Sequence, residues 1–220
     1  MDFSAFLSKN IRKIGVFTLI SALFLTFSAC SPADNGKKEP INLTRSTYDG
    51  FTNEFINESI GMTFKVPNNW SILTEEEIVL EYLDNTVTAE EFTAWSADDI
   101  IQQPLIPDYV VRDENGKNNI SVIYDNVELV TEGLNVTEEQ YLQAVTDSIK
   151  YIAETNFSYD KDSKTLLSGQ PFLVMQITST ADGTEFNQYM AVKKYGDFMA
   201  VITVTIFDEL PIEDVWKMFI

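Results

Sequence analysis

A run of apolar residues near the C-terminus, FMAVITVTIF at residues 198–207, constrains the fold more than any other part of the sequence. Its β-branched and aromatic residues favour a strand, in which successive side chains point to opposite faces. One face then carries Phe198, Ala200, Ile202, Val204 and Ile206, and the other carries Met199 and Val201. A strand that is apolar on both sides predicts a sheet covered on both sides by helices.

Two further strand-like runs, residues 172–180 and 186–194, precede this one. The dipeptides Asp182-Gly183 and Gly196-Asp197 separate the three runs and are typical of turns that close antiparallel hairpins. We therefore predict a three-stranded meander, in which Gly183 supplies a positive φ in the first turn.

Capping boxes predict where three helices begin, because a Thr and a Glu or Gln three residues later satisfy the free N–H groups of a first turn. The three pairs are Thr74 with Glu77, Thr88 with Glu91, and Thr137 with Gln140. The third pair opens the clearest helix, residues 136–156, whose apolar residues recur at spacings of three and four. A last helix is predicted at residues 211–220, with Pro211 in its first turn.

The remaining strands are predicted from alternating patterns at residues 48–55, 62–66 and 120–124. Strands that precede, separate and follow helices predict an α+β fold, arranged as an α/β/α sandwich around a mostly antiparallel sheet. Trp70, Trp95 and Trp216 could line a ligand groove, but aromatic residues on patterned elements more often belong to the core.

The run INESIGMTFKVPNNW, residues 56–70, is similar to the opening hairpin of PsbP-like domains, where a strand ending in Pro and Trp follows a turn with Gly. A strand like 119–124, a long helix like 137–155, the turn Leu167-Ser168-Gly169-Gln170 and three meandering strands follow in the order of that family. The resemblance spans residues 48–220. It implies a binding or assembly module, because the family has no shared catalytic residues.

The N-terminal segment predicts export from the cytoplasm. Lys9, Arg12 and Lys13 precede sixteen uncharged residues, 14–29, which end in small side chains. This order is typical of a secretory signal, and sixteen residues fall short of the ~20 that a spanning helix needs.

Cys30 follows Ser28 and Ala29, and the segment resembles the lipobox of bacterial lipoproteins. The resemblance implies cleavage between Ala29 and Cys30 and attachment of a diacylglycerol, with fatty acids such as palmitate, to the Cys30 thiol. Two alternatives are a plain secreted protein cut after Ala33 and an uncleaved apolar anchor.

The predicted division is therefore a signal peptide at 1–29, a lipid-anchored flexible tether at 30–47 and a single PsbP-like domain at 48–220. Residues 31–47 contain two prolines and no apolar period, which is typical of a linker. We expect the domain from Tyr48 onward to fold without the tether. Its stability must come from packing, since the chain has one cysteine and forms no disulfide framework.

The charge of the chain argues against a nucleic-acid partner. The net charge is −19, and residues 1–29 carry +2, so the chain from Cys30 onward carries −21. A negative field of this size repels nucleic acids and anionic lipid headgroups. The expected partners are the membrane, through the N-terminal lipid, and another surface protein or envelope component.

The composition also restricts the possible chemistry. The chain contains no histidine, which excludes a Ser-His-Asp triad and histidine metal sites. Residues 160–164 begin like a calcium loop, but Thr165 stands where that loop needs Gly and Pro171 where it needs Glu. Adventitious calcium binding stays open for Asp98-Asp99 and Asp113-Glu114. We predict no cofactor, no metal and no catalytic residue.

These observations favour an outward-facing, membrane-anchored lipoprotein that acts as a non-catalytic binding or assembly module with an unknown ligand. The alternative is an extracellular carboxylate-dependent hydrolase or a calcium-dependent carbohydrate-binding protein.

Overall fold

A computed structural model describes residues 41–84, 86–131, 133, 135–152, 159–181, 184–207 and 210–220. Within 149–152, 159–162 and 179–181 we describe the backbone alone. The strands in the described ranges are β1 (Thr47–Asp49), β2 (Glu54–Asn57), β3 (Met62–Lys65), β4 (Ser71–Ile72), β5 (Leu105–Arg112), β6 (Asn119–Asn126), β7 (Tyr159–Leu167), β8 (Gln170–Ala181), β9 (Thr184–Tyr195) and β10 (Phe198–Ile206). The helices are α1 (Glu75–Tyr82), α2 (Ala89–Thr93), α3 (Ala97–Ile100), α4 (Val127–Val130), α5 (Glu138–Ile152) and α6 (Ile212–Trp216).

Within the described ranges the strands form two sheets. The main sheet has the order β4-β5-β6-β10-β9-β8-β7, and the small sheet has the order β1-β2-β3. Every pairing between these strands is antiparallel. The predicted α+β class with a mostly antiparallel sheet is confirmed.

The C-terminal strand β10 lies in the middle of the main sheet, between β6 and β9. All nine of its residues are buried, as its two apolar faces predict. The predicted meander is confirmed as β8, β9 and β10, paired from Leu173 to Ile206. Gly183 lies outside the described residues.

The two faces of the main sheet have different covers. On one face, here called the helix face, Tyr141, Leu142 and Val145 of α5 pack against buried methionines and aliphatic residues of β8, β9 and β10. Helices α1 and α2 cover β5 on the same face. The other face, here called the inter-sheet face, packs against the small sheet and α6, with Phe64 and Val215 in its core. The sandwich therefore has helices on one side and mainly a second sheet on the other.

The predicted capping boxes open three helices. In α1 and α2 the Thr side chain accepts from the third helical N–H, and the Glu side chain accepts from the Thr N–H. Thr137 and Gln140 make the same exchange before α5. A fourth box, Ser96 with Asp99, opens α3 and was not predicted.

Two parts of the strand assignment were wrong. The predicted strand at 48–55 is divided into β1 and β2, because Asn53 adopts a φ of 60° and turns the chain. The strand β7 was not predicted, and it includes the residues that begin like a calcium loop. Its charged residues interrupt the apolar pattern by which strands are predicted. Such residues are tolerated here because β7 is an edge strand.

The packed part of the described chain begins before the predicted boundary at Tyr48. Leu43 is fully buried in the inter-sheet core, although it belongs to the predicted tether. Ile41 lies against Gly196 in the β9–β10 turn. We call residues 41–46 the strap, because this segment crosses the inter-sheet region before β1 begins.

The strap defines two ends of the molecule. The strap end contains the β9–β10 turn at Gly196 and the β7–β8 turn, where Gln170 contacts both Tyr195 and the β2–β3 turn at Gly61. The opposite end contains the β5–β6 turn and the loop from Gly50 to Asn53 that joins β1 to β2. We call this loop the tip.

Candidate functional site

A β-bulge in β5 places a carboxylate inside the protein. Pro107 pairs with Ile123 and Tyr109 pairs with Val122, so Asp108 is an extra residue in the strand. A bulge of this kind re-aims side chains. Tyr109 stacks on Phe55 at a centroid distance of 4.0 Å, and Asp108 is directed at the same inter-sheet region with 3% of its surface exposed.

The strap supplies two of the hydrogen bonds to Asp108. The backbone N–H and the hydroxyl of Ser46 each donate to this carboxylate at 2.6 Å, and the Tyr124 hydroxyl donates at 2.8 Å. Burial raises the pKa of Asp108, while the hydrogen bonds from Ser46 and Tyr124 act in the opposite direction. The carboxylate therefore depends on the strap for two of these three hydrogen bonds.

Asn57 extends this network to the β2–β3 turn. Its side-chain amide donates to the Tyr124 hydroxyl at 3.0 Å and to the Thr44 carbonyl at 2.7 Å. Its side-chain oxygen accepts from the N–H and the hydroxyl of Ser59. The strap is thus hydrogen-bonded to both sheets.

Arg45 ties the strap to the helices. Its guanidinium donates to the Glu75 carboxylate at 3.0 and 3.1 Å and to the Asp108 carbonyl at 3.1 Å. It also lies 3.8 Å from the centroid of the Phe92 ring, within the range of a cation–π contact. We call Asp108, Ser46, Tyr124, Asn57 and Arg45 together the Asp108 network.

The Asp108 network is built to hold the chain together. A general base must reach a proton on a bound substrate, whereas the Asp108 carboxylate is enclosed by donors from its own chain. The pKa of Tyr124 is raised by burial and by the nearby charge of Asp108, so its hydroxyl stays protonated as a donor. The arrangement positions the strap and does not present a reactive group.

A second carboxylate, the half-buried Asp125, lies on the helix face. It accepts a hydrogen bond from the Tyr141 hydroxyl of α5 and pairs across the sheet with Leu105 and Met199. Burial raises its pKa to about 6. The Asp125–Tyr141 contact therefore joins α5 to the sheet through a group that titrates near neutral pH.

The acidic pairs considered for calcium have structural roles. Asp99 accepts from the N–H and the hydroxyl of Ser96 in the capping box of α3. Asp113 closes the β5–β6 turn by accepting from the Lys117 N–H at 2.8 Å and the Asn118 amide at 3.0 Å. Among the described residues, no group of three Cys, Asp or Glu side chains is placed to hold a metal ion.

The three tryptophans pack against the inter-sheet core, as the core interpretation predicted. Trp70, Trp95 and Trp216 are each partly buried beside this cluster. Trp216 meets Tyr189 edge to face at 6.5 Å.

The tip presents the most exposed large apolar side chain of the described residues. Phe51 is 98% exposed. The backbone around it is held firmly: the Asp49 carboxylate accepts from the Phe51 N–H at 2.8 Å, and the Asn53 amide donates to the Val66 carbonyl at 2.7 Å. The hydrogen bond from Phe51 also lowers the pKa of Asp49. An ordered loop thus carries an aromatic ring into solvent.

The predicted site residues Ala29 and Cys30 lie outside the described residues. In the part of the chain that the structure describes, every helix is too short or too polar to cross a bilayer.

Sequence reasoning missed the Asp108 network and the tip. The sequence LIPDYVV contains a signal for the network, since a proline and an acid inside an apolar strand indicate a bulge. The exposure of Phe51 has no such signal, because a phenylalanine beside a strand is more often buried.

No protein-family model matches the sequence, and no curated protein matches it. Among solved structures, the chain is similar to a cyanobacterial PsbP, CyanoP, from Synechocystis sp. PCC 6803, with 13% identity, 85% of this chain and 91% of that chain covered, and a TM-score of 0.38. It is also similar to LpqN, which is involved in cell envelope biogenesis of Mycobacterium tuberculosis, with 15% identity, 66% and 68% coverage, and a TM-score of 0.33. At these low identities and TM-scores, the roles of the two proteins do not transfer to this chain.

Proposed function

We propose that this protein is a lipid-anchored, outward-facing envelope protein whose domain is a non-catalytic binding or assembly module. The observation that carries the binding role is the tip, where a hydrogen-bonded loop holds Phe51 98% exposed. Exposed apolar patches mark sites of interaction, and Tyr48, which is 45% exposed and donates a hydrogen bond to Asn53 of the tip, adds a second aromatic ring beside Phe51. The proposed partner is another surface protein or an envelope component with an apolar pocket for the ring.

The proposed anchor is a diacylglycerol on Cys30, after removal of residues 1–29. Two acyl chains bury enough methylenes, at ~0.8 kcal/mol each, for stable attachment, whereas one chain binds only marginally. In a bacterial host the wild type should fractionate with membranes and extract into detergent. Cys30→Ser should accumulate as precursor or appear soluble, and an unchanged size and membrane attachment would refute the anchor.

The binding role is tested with Phe51→Ala in a pull-down from solubilised membranes. Leu80→Ala is the matched control, because Leu80 is also exposed but lies on α1. A partner that binds the wild type and the control, and is lost with Phe51→Ala, supports the proposal. Equal recovery with both variants refutes the tip as the binding surface.

The rival activities are tested directly. A screen on peptide, ester and glycoside substrates should give no turnover, and one turnover abolished by a single Asp or Glu substitution would establish a carboxylate hydrolase instead. Calorimetric titration with calcium should give no heat at millimolar concentrations. Saturable heat would favour the calcium-dependent carbohydrate binder.

A further inference from the structure

The strap determines where an N-terminal tether joins the folded domain. The Ile41 Cγ2 atom lies 3.0 Å from the position that a Cβ on Gly196 would occupy, at the strap end. From there the strap runs past Asp108 to β1, which leads to the tip. The β2–β3 turn lies at the strap end, and the tip lies at the other end of β2. The strap end and the tip are therefore at opposite ends of the small sheet.

The length of chain before the strap limits how the domain can stand on a membrane. Eleven residue steps join Cys30 to Ile41, and a fully extended chain spans at most ~40 Å over that number. Ten residue steps separate Ile41 from Phe51, so the tip lies at most roughly 33 Å from the point where the tether ends. At that distance, contact between the tip and the membrane would require the tether to extend well beyond its relaxed end-to-end distance, roughly 18 Å for eleven residues, which is entropically unfavourable. Contact at the strap end needs no stretching.

The strap end also exposes apolar side chains next to the β9–β10 turn. The Asn126 side chain holds two of them in place, because its amide donates to the Ile101 carbonyl at 3.0 Å and its oxygen accepts from the Leu129 N–H at 3.1 Å. Both Ile101 and Leu129 are exposed. Leu166, which pairs with Pro171 beside the β7–β8 turn, is exposed at the same end.

We propose that the strap end rests on the membrane that carries the anchor, with Ile101 and Leu129 as its apolar contacts, and that the tip points away from the bilayer. This proposal rests on the proposed anchor at Cys30. The contact is to the headgroup region of uncharged lipid, since a chain of charge −21 is repelled by anionic headgroups. A weak contact suffices, because the anchor keeps the local concentration high.

The test attaches the chain from Cys30 onward to phosphatidylcholine vesicles that contain a maleimide lipid. Cys30 is the one cysteine of the sequence, so coupling is unique. A donor dye is placed on an azide-bearing residue in place of Gln102, next to Ile101, or in place of Glu114, in the β5–β6 turn at the opposite end. Energy transfer to acceptor-labelled headgroups is then measured for each position.

Energy transfer should be at least twofold greater from position 102 than from position 114. Adding Ile101→Ser and Leu129→Ser should reduce that ratio, whereas Leu80→Ser on α1 should leave it unchanged. Equal transfer from the two positions, greater transfer from position 114, or a ratio that the serine pair does not alter would overturn the proposal. Because the coupling is chemical, failure of Cys30 to be acylated in cells would refute the proposed anchor without affecting this measurement.

Discussion

Ser46 and Asp108 are separated by 62 residues, and the Ser46 backbone N–H and hydroxyl both donate to the Asp108 carboxylate at 2.6 Å. This contact makes the strap part of the folded domain. It joins the strap to the bulge in the main sheet.

A chain that begins at Tyr48 should be much less stable than one that begins at Ile41. It lacks Leu43, which is buried in the core, and Ser46, which supplies two donors to Asp108. Loss of a buried leucine and of partners for a buried carboxylate predicts a decrease of about 3 to 6 kcal/mol in the free energy of unfolding. Urea denaturation of the two chains measures this decrease in the free energy of unfolding. A chain beginning at Cys30 should match the one beginning at Ile41, and equal stability of all three would contradict the role of the strap.

Alanine at Gly196 should disturb the strap, whereas alanine at Gly116 should not. Both glycines have positive φ, of +59° and +65°, so each substitution carries a backbone penalty of about 1 to 2 kcal/mol. A Cβ at Gly196 would also meet Ile41 at 3.0 Å, while one at Gly116 has nothing within 4 Å. The crowding should add about 1 kcal/mol for Gly196→Ala.

A double-mutant cycle with Ile41→Ala separates the two contributions. In the Ile41→Ala background, Gly196→Ala and Gly116→Ala should lower the free energy of unfolding equally. An extra loss at Gly196 that persists without the Ile41 side chain would show that its source is not the strap.

Asp125 should make stability depend on pH. Its pKa is about 6 in the folded protein, against an ordinary value of 3.8, so between these two pH values the folded state binds more protons than the unfolded state. The contribution of Asp125 to the free energy of unfolding therefore falls as pH rises from about 4 to 6. At 1.36 kcal/mol per pKa unit the loss approaches about 3 kcal/mol, and partial exposure of the residue reduces it to about 1 to 2 kcal/mol.

The variant Asp125→Asn isolates this effect, since the amide keeps the size of the side chain without its charge. Its stability relative to wild type should rise between pH 4 and pH 7 and then level off. Denaturation at several pH values gives the difference, and Glu114→Gln in the exposed β5–β6 turn serves as the control. A difference that stays constant over this range would show that Asp125 does not titrate as described.

Two phenylalanines near the tip should respond in opposite ways to truncation. Phe51 is exposed, so Phe51→Ala should change the free energy of unfolding by less than about 0.5 kcal/mol. Phe55 is buried and stacks on Tyr109 at 4.0 Å, so Phe55→Ala should cost about 3 to 5 kcal/mol. Thermal and chemical denaturation of the two variants provide the comparison. A large loss with Phe51→Ala would mean that the tip contributes to folding, and its use as a binding probe would fail.

Features that depend on nearby residues were predictable from the sequence. Thr74 and Glu77 form the expected capping box because both partners lie within one helical turn. The helix α5 and the meander of β8, β9 and β10 follow from apolar periods of 3.6 and 2 residues. These periods can be read within each segment alone, because they reflect the local geometry of a helix and a strand. The apolar residues on both sides of β10 also predicted that both faces of the sheet would be covered.

Features that depend on distant residues were decided by the tertiary structure. Leu43 lies in a segment with no apolar period, and it is buried because two sheets close over it. The role of Asp108 required both a bulge, which shifts the register of β5 by one residue, and a strap that arrives from 62 residues away. The helix starts, the hairpins and the covered sheet are predictable from the sequence, because they follow from short-range hydrogen bonds and side-chain periodicity. The tertiary structure alone decided which segment covers the second face and which aromatic ring stays in solvent, because both follow from long-range packing that no local pattern encodes.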